Sequence, residues 1–315
     1  YVVFRWSIYG GVVFADESAI NSAFFAENQI YITDFWSVTA GVRYDDYKRK
    51  AATGTSNFDD VTWSLATEWD VTNDWTLFAS TRSLFKGPEL LETFIKYQPT
   101  THLASDIKAE TGQNTQGGVR FNKQVNSHFF GASLTAFKTQ IDDYIAEAYQ
   151  SSTKGYLIYN KGDVEFTGFE LSATYGYEAF NSKLSYSRSD NKDVTNGGPV
   201  LDANDRSMDI GDSIALTLDY QADSIDVLFG WTSIVVLEEN NVLEGKAVKE
   251  GYNVHNLYAQ WIPSNVEDLS VTFGIDNIFD EAYVSHASKT GDARGIIADD
   301  YEPGRNFKLS AAYQF

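Results

Sequence analysis

Asn306-Phe307-Lys308-Leu309-Ser310-Ala311-Ala312-Tyr313-Gln314-Phe315 is the last stretch of the chain, and its reading decides the fold. Phe307, Leu309, Ala311, Tyr313 and Phe315 fall on one side of an extended segment, and Asn306, Lys308, Ser310, Ala312 and Gln314 on the other. Side chains alternate along a strand, so this strand has one apolar and one polar face. In a soluble sheet the apolar face meets a core. In a membrane-crossing strand it meets lipid, and the polar face meets a wet lumen.

The connections choose between these. Short turns fall at 33–35, 72–74, 122–126, 177–181, 221–224 and 263–268, and long ones at 48–59, 86–109, 149–163, 189–208, 237–251 and 285–305. Short and long alternate, as they do in outer-membrane barrels with brief periplasmic turns and long extracellular loops. The strands between agree. Trp36, Val38, Ala40, Val42 and Tyr44 oppose Ser37, Thr39, Gly41, Arg43 and Asp45; Val61, Trp63, Leu65 and Trp69 oppose Thr62, Ser64, Glu68 and Asp70. Ile214, Leu216, Leu218 and Tyr220 oppose Ser213, Thr217 and Asp219. Charges such as Arg43, Glu68 and Asp219 are cheap in a wet lumen and costly against lipid. Trp36, Trp69, Trp75 and Trp261 all lie beside short turns, where an interfacial aromatic girdle belongs. The expected fold is all-β: an antiparallel transmembrane outer-membrane β-barrel with roughly fourteen strands in this chain. Residues 88–95 (PELLETFI) alone read as a short helical turn, with Pro88 at its start.

Composition sets the outer bounds. Aromatics make up 15% of the 315 residues, and the net charge is -20, which argues against nucleic acid as a partner. No apolar run is long enough for a spanning helix, but a mean hydropathy of -0.31 is no obstacle to spanning strands, which need only alternate apolar residues. There is no Cys, hence no thiolate site or disulfide. The chain starts at Tyr1 without a signal peptide and is expected to be a mature or truncated piece.

Several segments resemble the TonB-dependent outer-membrane receptors, specifically the C-terminal part of their barrel. Asp276-Asn277-Ile278-Phe279-Asp280 with Tyr283 is similar to the family's penultimate-strand signature. Tyr301-Glu302-Pro303-Gly304-Arg305, running into the final strand and Phe315, is similar to its C-terminal box. Residues 166–171 (FTGFEL), 24–29 (FFAENQ) and 108–111 (KAET) resemble further motifs in the family's order. The resemblance covers essentially the whole chain, so residues 1–315 are read as one barrel domain without the N-terminal plug. It implies a complete barrel of about 22 strands. It also implies partners: outer-membrane lipid, and the TonB–ExbB–ExbD system acting through the missing plug.

The family imports mainly ferric siderophores and haem, so the resemblance implies an iron chelate or haem as cargo and no intrinsic cofactor. Phe85-Lys86-Gly87-Pro88 resembles the box of haem receptors that precedes a ligand His, and His102 lies in the corresponding stretch. A neutral imidazole is a good axial ligand for haem iron, which makes His102 the metal-ligand candidate if the cargo is haem. His286, on the last long loop, is a second candidate; His128, after a short turn, and His255, within a strand, are poor ones. A ferric siderophore already fills its iron's coordination sphere, so aromatic and charged loop residues would serve it: Tyr97, Tyr149, Tyr156, Tyr159, Lys86, Lys96 and Arg294. Asp202, Asp205, Asp209 and Asp212 lack the spacing of a calcium loop and read as solvated acid. No phosphate loop, G-x-S-x-G elbow or H-E-x-x-H is present, and Ser285-His286 has no supporting motif, so the chain is read as no enzyme. The alternative function is a passive, porin-like channel without a plug.

Overall fold

A computed structural model describes residues 2–8, 12–51, 54–90, 102–152, 155–202, 205–266, 268–288, 291–293, 296–298 and 300–314. Tyr97, Lys96, Arg294, Phe315 and most of the expected helical turn lie outside the described residues. The strands are β1 (Val2–Ile8), β2 (Val12–Thr33), β3 (Trp36–Ala51), β4 (Gly54–Asp70), β5 (Trp75–Lys86), β6 (His102–Leu103), β7 (Glu110–Val125), β8 (His128–Gln150) and β9 (Gly155–Tyr177). They continue with β10 (Phe180–Asp193), β11 (Ile210–Ala222), β12 (Val227–Val236), β13 (Tyr252–Trp261), β14 (Leu269–Asp276), β15 (Gly291–Ala293), β16 (Ile296–Ala298) and β17 (Asn306–Tyr313).

Fourteen of them form one antiparallel meander in chain order, β1 to β5, β7 to β14, then β17. β6 lies parallel to β9 off this path, and β15 pairs with β16. No pairing joins β1 to β17 among the described residues, so the sheet is an open section of barrel wall.

The register keeps one face continuous around the wall. Phe307, Leu309 and Tyr313 pair with Ile275, Phe273 and Leu269, and the same face continues through Leu257, Trp231, Leu218 and Leu184. This is the lipid side. Lumen-side charges pair along the other face: Arg43 with Asp45 at 2.6 Å, Arg120 with Glu68 at 2.9 Å, and Lys308 with Asp276. At the short-turn end Trp36 lies opposite Trp69, and Trp75 meets Phe121 with ring centroids 4.7 Å apart. His128 belongs to this girdle: Nδ1 lies 2.9 Å from the Tyr175 hydroxyl, and the ring stacks on Tyr177 at 4.4 Å.

Two expected loops are strand instead. Residues 48–51 and 54–59 pair as the ends of β3 and β4, and 155–160 pair with 145–150 across β8 and β9. β8 and β9 have 23 residues each, whereas a tilted strand crosses the bilayer in about 9–11. Their outer halves stand in water, where both faces can be polar and no alternation marks a strand. The buried apolar residues gather there too: Leu90, Ile145, Ile158, Val164 and Val200 lie toward the long-loop end.

Candidate functional site

His102 sits on β6, which pairs with Leu157 and Ile158 of the tall β8–β9 hairpin. The segment behind it is laced to that hairpin. Ala104 N–H donates to the Ile158 carbonyl at 2.8 Å, and Lys108 N–H to Asn160 Oδ1 at 2.8 Å. Asn160 Nδ2 returns bonds to the Lys108 and Asp143 carbonyls, and Lys108 Nζ reaches the Asp143 carboxylate at 3.1 Å. Asp143, with φ 54°, is left-handed where β8 bulges between Ile141 and Tyr144. The His102 side chain is exposed. Tyr149 (53% exposed) and Tyr156 are cross-strand partners near the hairpin tip, with ring centroids 5.3 Å apart. The fold thus carries His102, Tyr149 and Tyr156 on one extracellular unit.

Lys86 lies at the root of this unit. Its ammonium is 3.3 Å from Glu110, whose other oxygen accepts the Ile145 N–H at 2.7 Å. Phe85, Lys86 and Gly87 line a lumen-side cleft of about 420 Å³ with Arg43, Asp45, Tyr47 and Arg82. Pro88 is buried, and its carbonyl accepts the Tyr47 hydroxyl at 2.9 Å. A Cβ on Gly87 would lie 2.5 Å from the Tyr47 ring, so glycine is what lets that ring pack against the chain just past β5. The cleft mixes the cations Arg43, Arg82 and Lys86 with Asp45 and Glu89. Sequence reading missed this cluster, although Arg43, Asp45, Arg82 and Lys86 share the lumen parity. The apolar cleft of about 350 Å³ around Phe229, Trp231 and Phe273 opens on the lipid side.

His286 is elsewhere and in another state. It is 7% exposed. Nδ1 accepts the Gly211 N–H at 3.1 Å, so Nε2 carries the proton it donates to the Glu250 carbonyl at 2.9 Å. In this geometry neither ring nitrogen faces a ligand, and Ser285 makes no pair with the ring. His255 stacks against Trp231 on the lipid face, with Phe279 edge-on above it. The acidic run is not uniformly solvated, because Asp209 is 3% exposed. Among the described residues no three His, Asp or Glu converge on a metal position.

The two terminal motifs build one clasp at the outer end of β14. Asn277, φ 50° and 3% exposed, accepts the Glu281 N–H at 2.9 Å and donates to the Glu281 carbonyl at 2.8 Å. Its side chain also reaches the Pro303 carbonyl at 3.5 Å. Asp280 accepts the Arg305 N–H at 2.7 Å, and a Cβ on Gly304 would crowd that carboxylate at 2.7 Å.

Comparison with known proteins agrees with this geometry. Residues 5–278 match the family model described as TonB dependent receptor-like, beta-barrel. The chain belongs to the TonB-dependent receptor β-barrel family. It is an outer-membrane protein of the kind found in Gram-negative bacteria. Among curated relatives it is 24% identical over 301 residues to the heme transporter BhuA of Brucella suis, covering 92% of this chain and 43% of that one. It is 24% identical over 303 residues to the vitamin B12 transporter BtuB of Photobacterium profundum, covering 91% and 44%. Among solved structures, the FrpB iron transporter from Neisseria meningitidis superposes with a TM-score of 0.77 at 21% identity, covering 95% of this chain and 46% of that one. The chain therefore spans less than half the length of these relatives.

Proposed function

We propose that residues 1–315 are the C-terminal part of the barrel of a TonB-dependent receptor that imports an iron complex, haem or a ferric siderophore. The observation that carries this reading is the exposed His102 imidazole, held on β6 against the β8–β9 hairpin that also bears Tyr149 and Tyr156. A haem edge arriving from outside would meet an aromatic pair and a nitrogen ligand on one supported unit. His286 is left out of the ligand set because its ring nitrogens serve the backbone. The named relatives, transporters of haem and vitamin B12, favour an importer over an enzyme or a passive pore. In this reading the wall supplies the lining, while the TonB–ExbB–ExbD system drives transport through a plug. Nothing in the reading assigns catalysis to the chain.

The test is a haem titration of the full-length receptor in detergent, followed by Soret absorbance. We predict a saturable shift that His102→Ala weakens by at least about tenfold, equivalent to ~1.4 kcal/mol, while His286→Ala leaves the ligand bands unchanged. A wild type without any shift would remove haem and leave ferric siderophores, whose binding should then depend on Tyr149 and Tyr156. Uptake that persists without TonB would favour the passive channel.

A further inference from the structure

Three long connections, 194–209, 237–251 and 277–305, meet at one buried polar knot above β10, β11 and β13. Asp209 lies at its centre. Oδ1 accepts the Asn191 backbone N–H at 2.8 Å, and Oδ2 accepts the Asn241 side-chain N–H. Asn241 also donates to the Asn191 carbonyl at 3.1 Å. Lys249 Nζ donates to the Asp209 carbonyl at 2.6 Å and to the His286 carbonyl at 3.1 Å. The His286 ring then bridges Gly211 and Glu250. The 237–251 connection is tied to both of the others, the His286 ring reaches β11 at Gly211, and the buried carboxylate is met by neutral donors.

We propose that Asp209 makes this knot a proton-operated latch, holding the three extracellular loops together in mild acid and loosening them toward neutral pH. The proposal is independent of which cargo binds. Burial pushes the Asp209 carboxyl up to about 6, against the lowering effect of the Asn241 and Asn191 hydrogen bonds; Glu239 and Asp190 push it further up. Burial likewise lowers Lys249, so both charges of the knot are disfavoured where they stand. A protonated Asp209 keeps an acceptor oxygen for the Asn191 N–H and places no charge in the buried knot.

The sign follows from linkage. A released Asp209, in water, ionises near the ordinary ~3.9. The latched form therefore holds its proton between about 4 and 6 while the released form does not, and raising the pH through this window favours release. Above about 6 both forms are ionised and the dependence ends. The other groups facing the knot are Glu239 and Lys249 from 237–251, Asp190 from β10, Asp202 and Arg206 from 194–209, and His286 from 277–305.

Hydrogen exchange measured by mass spectrometry on the full-length receptor in detergent, from pH 4.5 to 7.5 and corrected for intrinsic rates, tests this. Peptides over 205–213 and 283–288 should open more readily by on the order of tenfold to a hundredfold between pH 4.5 and 6.5, then level off. Asp209→Asn should flatten that profile, with β13 and β14 peptides unchanged as the folding control. A flat wild-type profile, the same slope in Asp209→Asn, or greater opening in acid would overturn the latch. Should the variant fail to fold, the sign of the wild-type slope alone decides.

Discussion

At the scale of single residues, the lumen face turns on small side chains placed under large ones. Tyr258 lies across Gly230, where a Cβ would fall 2.0 Å from the ring, and its hydroxyl donates to Asp219 at 2.7 Å. A larger residue must lift the ring and break that bond. We predict that Gly230→Val destabilises the barrel by ~1–3 kcal/mol, the usual cost of overpacking, read from urea unfolding in detergent by tryptophan fluorescence. An unchanged midpoint would mean that the ring moves aside freely. The terminal motifs obey the same logic. Asn277 and Asp280 take left-handed backbone conformations that a short polar side chain tolerates, and their side chains are spent holding Pro303 and Arg305 in place. These motif residues are explained by architecture, with no reference to cargo.

At the scale of the element, each strand has a lipid side and a lumen side one residue apart. This assignment is open to direct test on β17. Leu309→Arg puts a charge on the lipid face and is expected to cost ~2–4 kcal/mol if the position is near the bilayer midplane. Ser310→Arg, one residue on, faces the lumen and should change stability by less than ~1 kcal/mol. The pair is compared by reversible unfolding in lipid vesicles, and equal costs would show the face assignment to be wrong. The outer halves of β3, β4, β8 and β9 follow a different rule. Once above the bilayer they have water on both sides, so hydrogen bonding to the neighbouring strand is what keeps them extended. That is why 48–59 and 149–163 read as loops yet pair almost throughout.

At the scale of the whole molecule, β1 and β17 have no further partner strand among the described residues, and lipid cannot satisfy such edges. This 315-residue chain, expressed alone and refolded in detergent, is predicted to associate edge to edge into multimers, detected by light scattering after size exclusion. A monodisperse monomer would show that the section closes on itself. The wall itself was legible in the sequence, because a strand between lipid and water must alternate at every residue, and Phe307 to Tyr313 or Trp36 to Asp45 cannot do so by accident. Bilayer thickness and the segregation of short from long turns supplied the strand number and the direction of each hairpin. The candidate site was legible only in part. His102 could be placed on an extracellular loop, but not on a strand supported by Ile158 and Asn160, since that pairing joins residues about fifty positions apart. His286 and Asp209 looked like solvent-facing loop residues, and only the folding of three loops over one another buried them. Local alternation is dictated by the solvent on each side of a strand and so is written residue by residue. The meeting of distant loops depends on which backbone groups find one another after the wall has formed, and only the tertiary structure decides that.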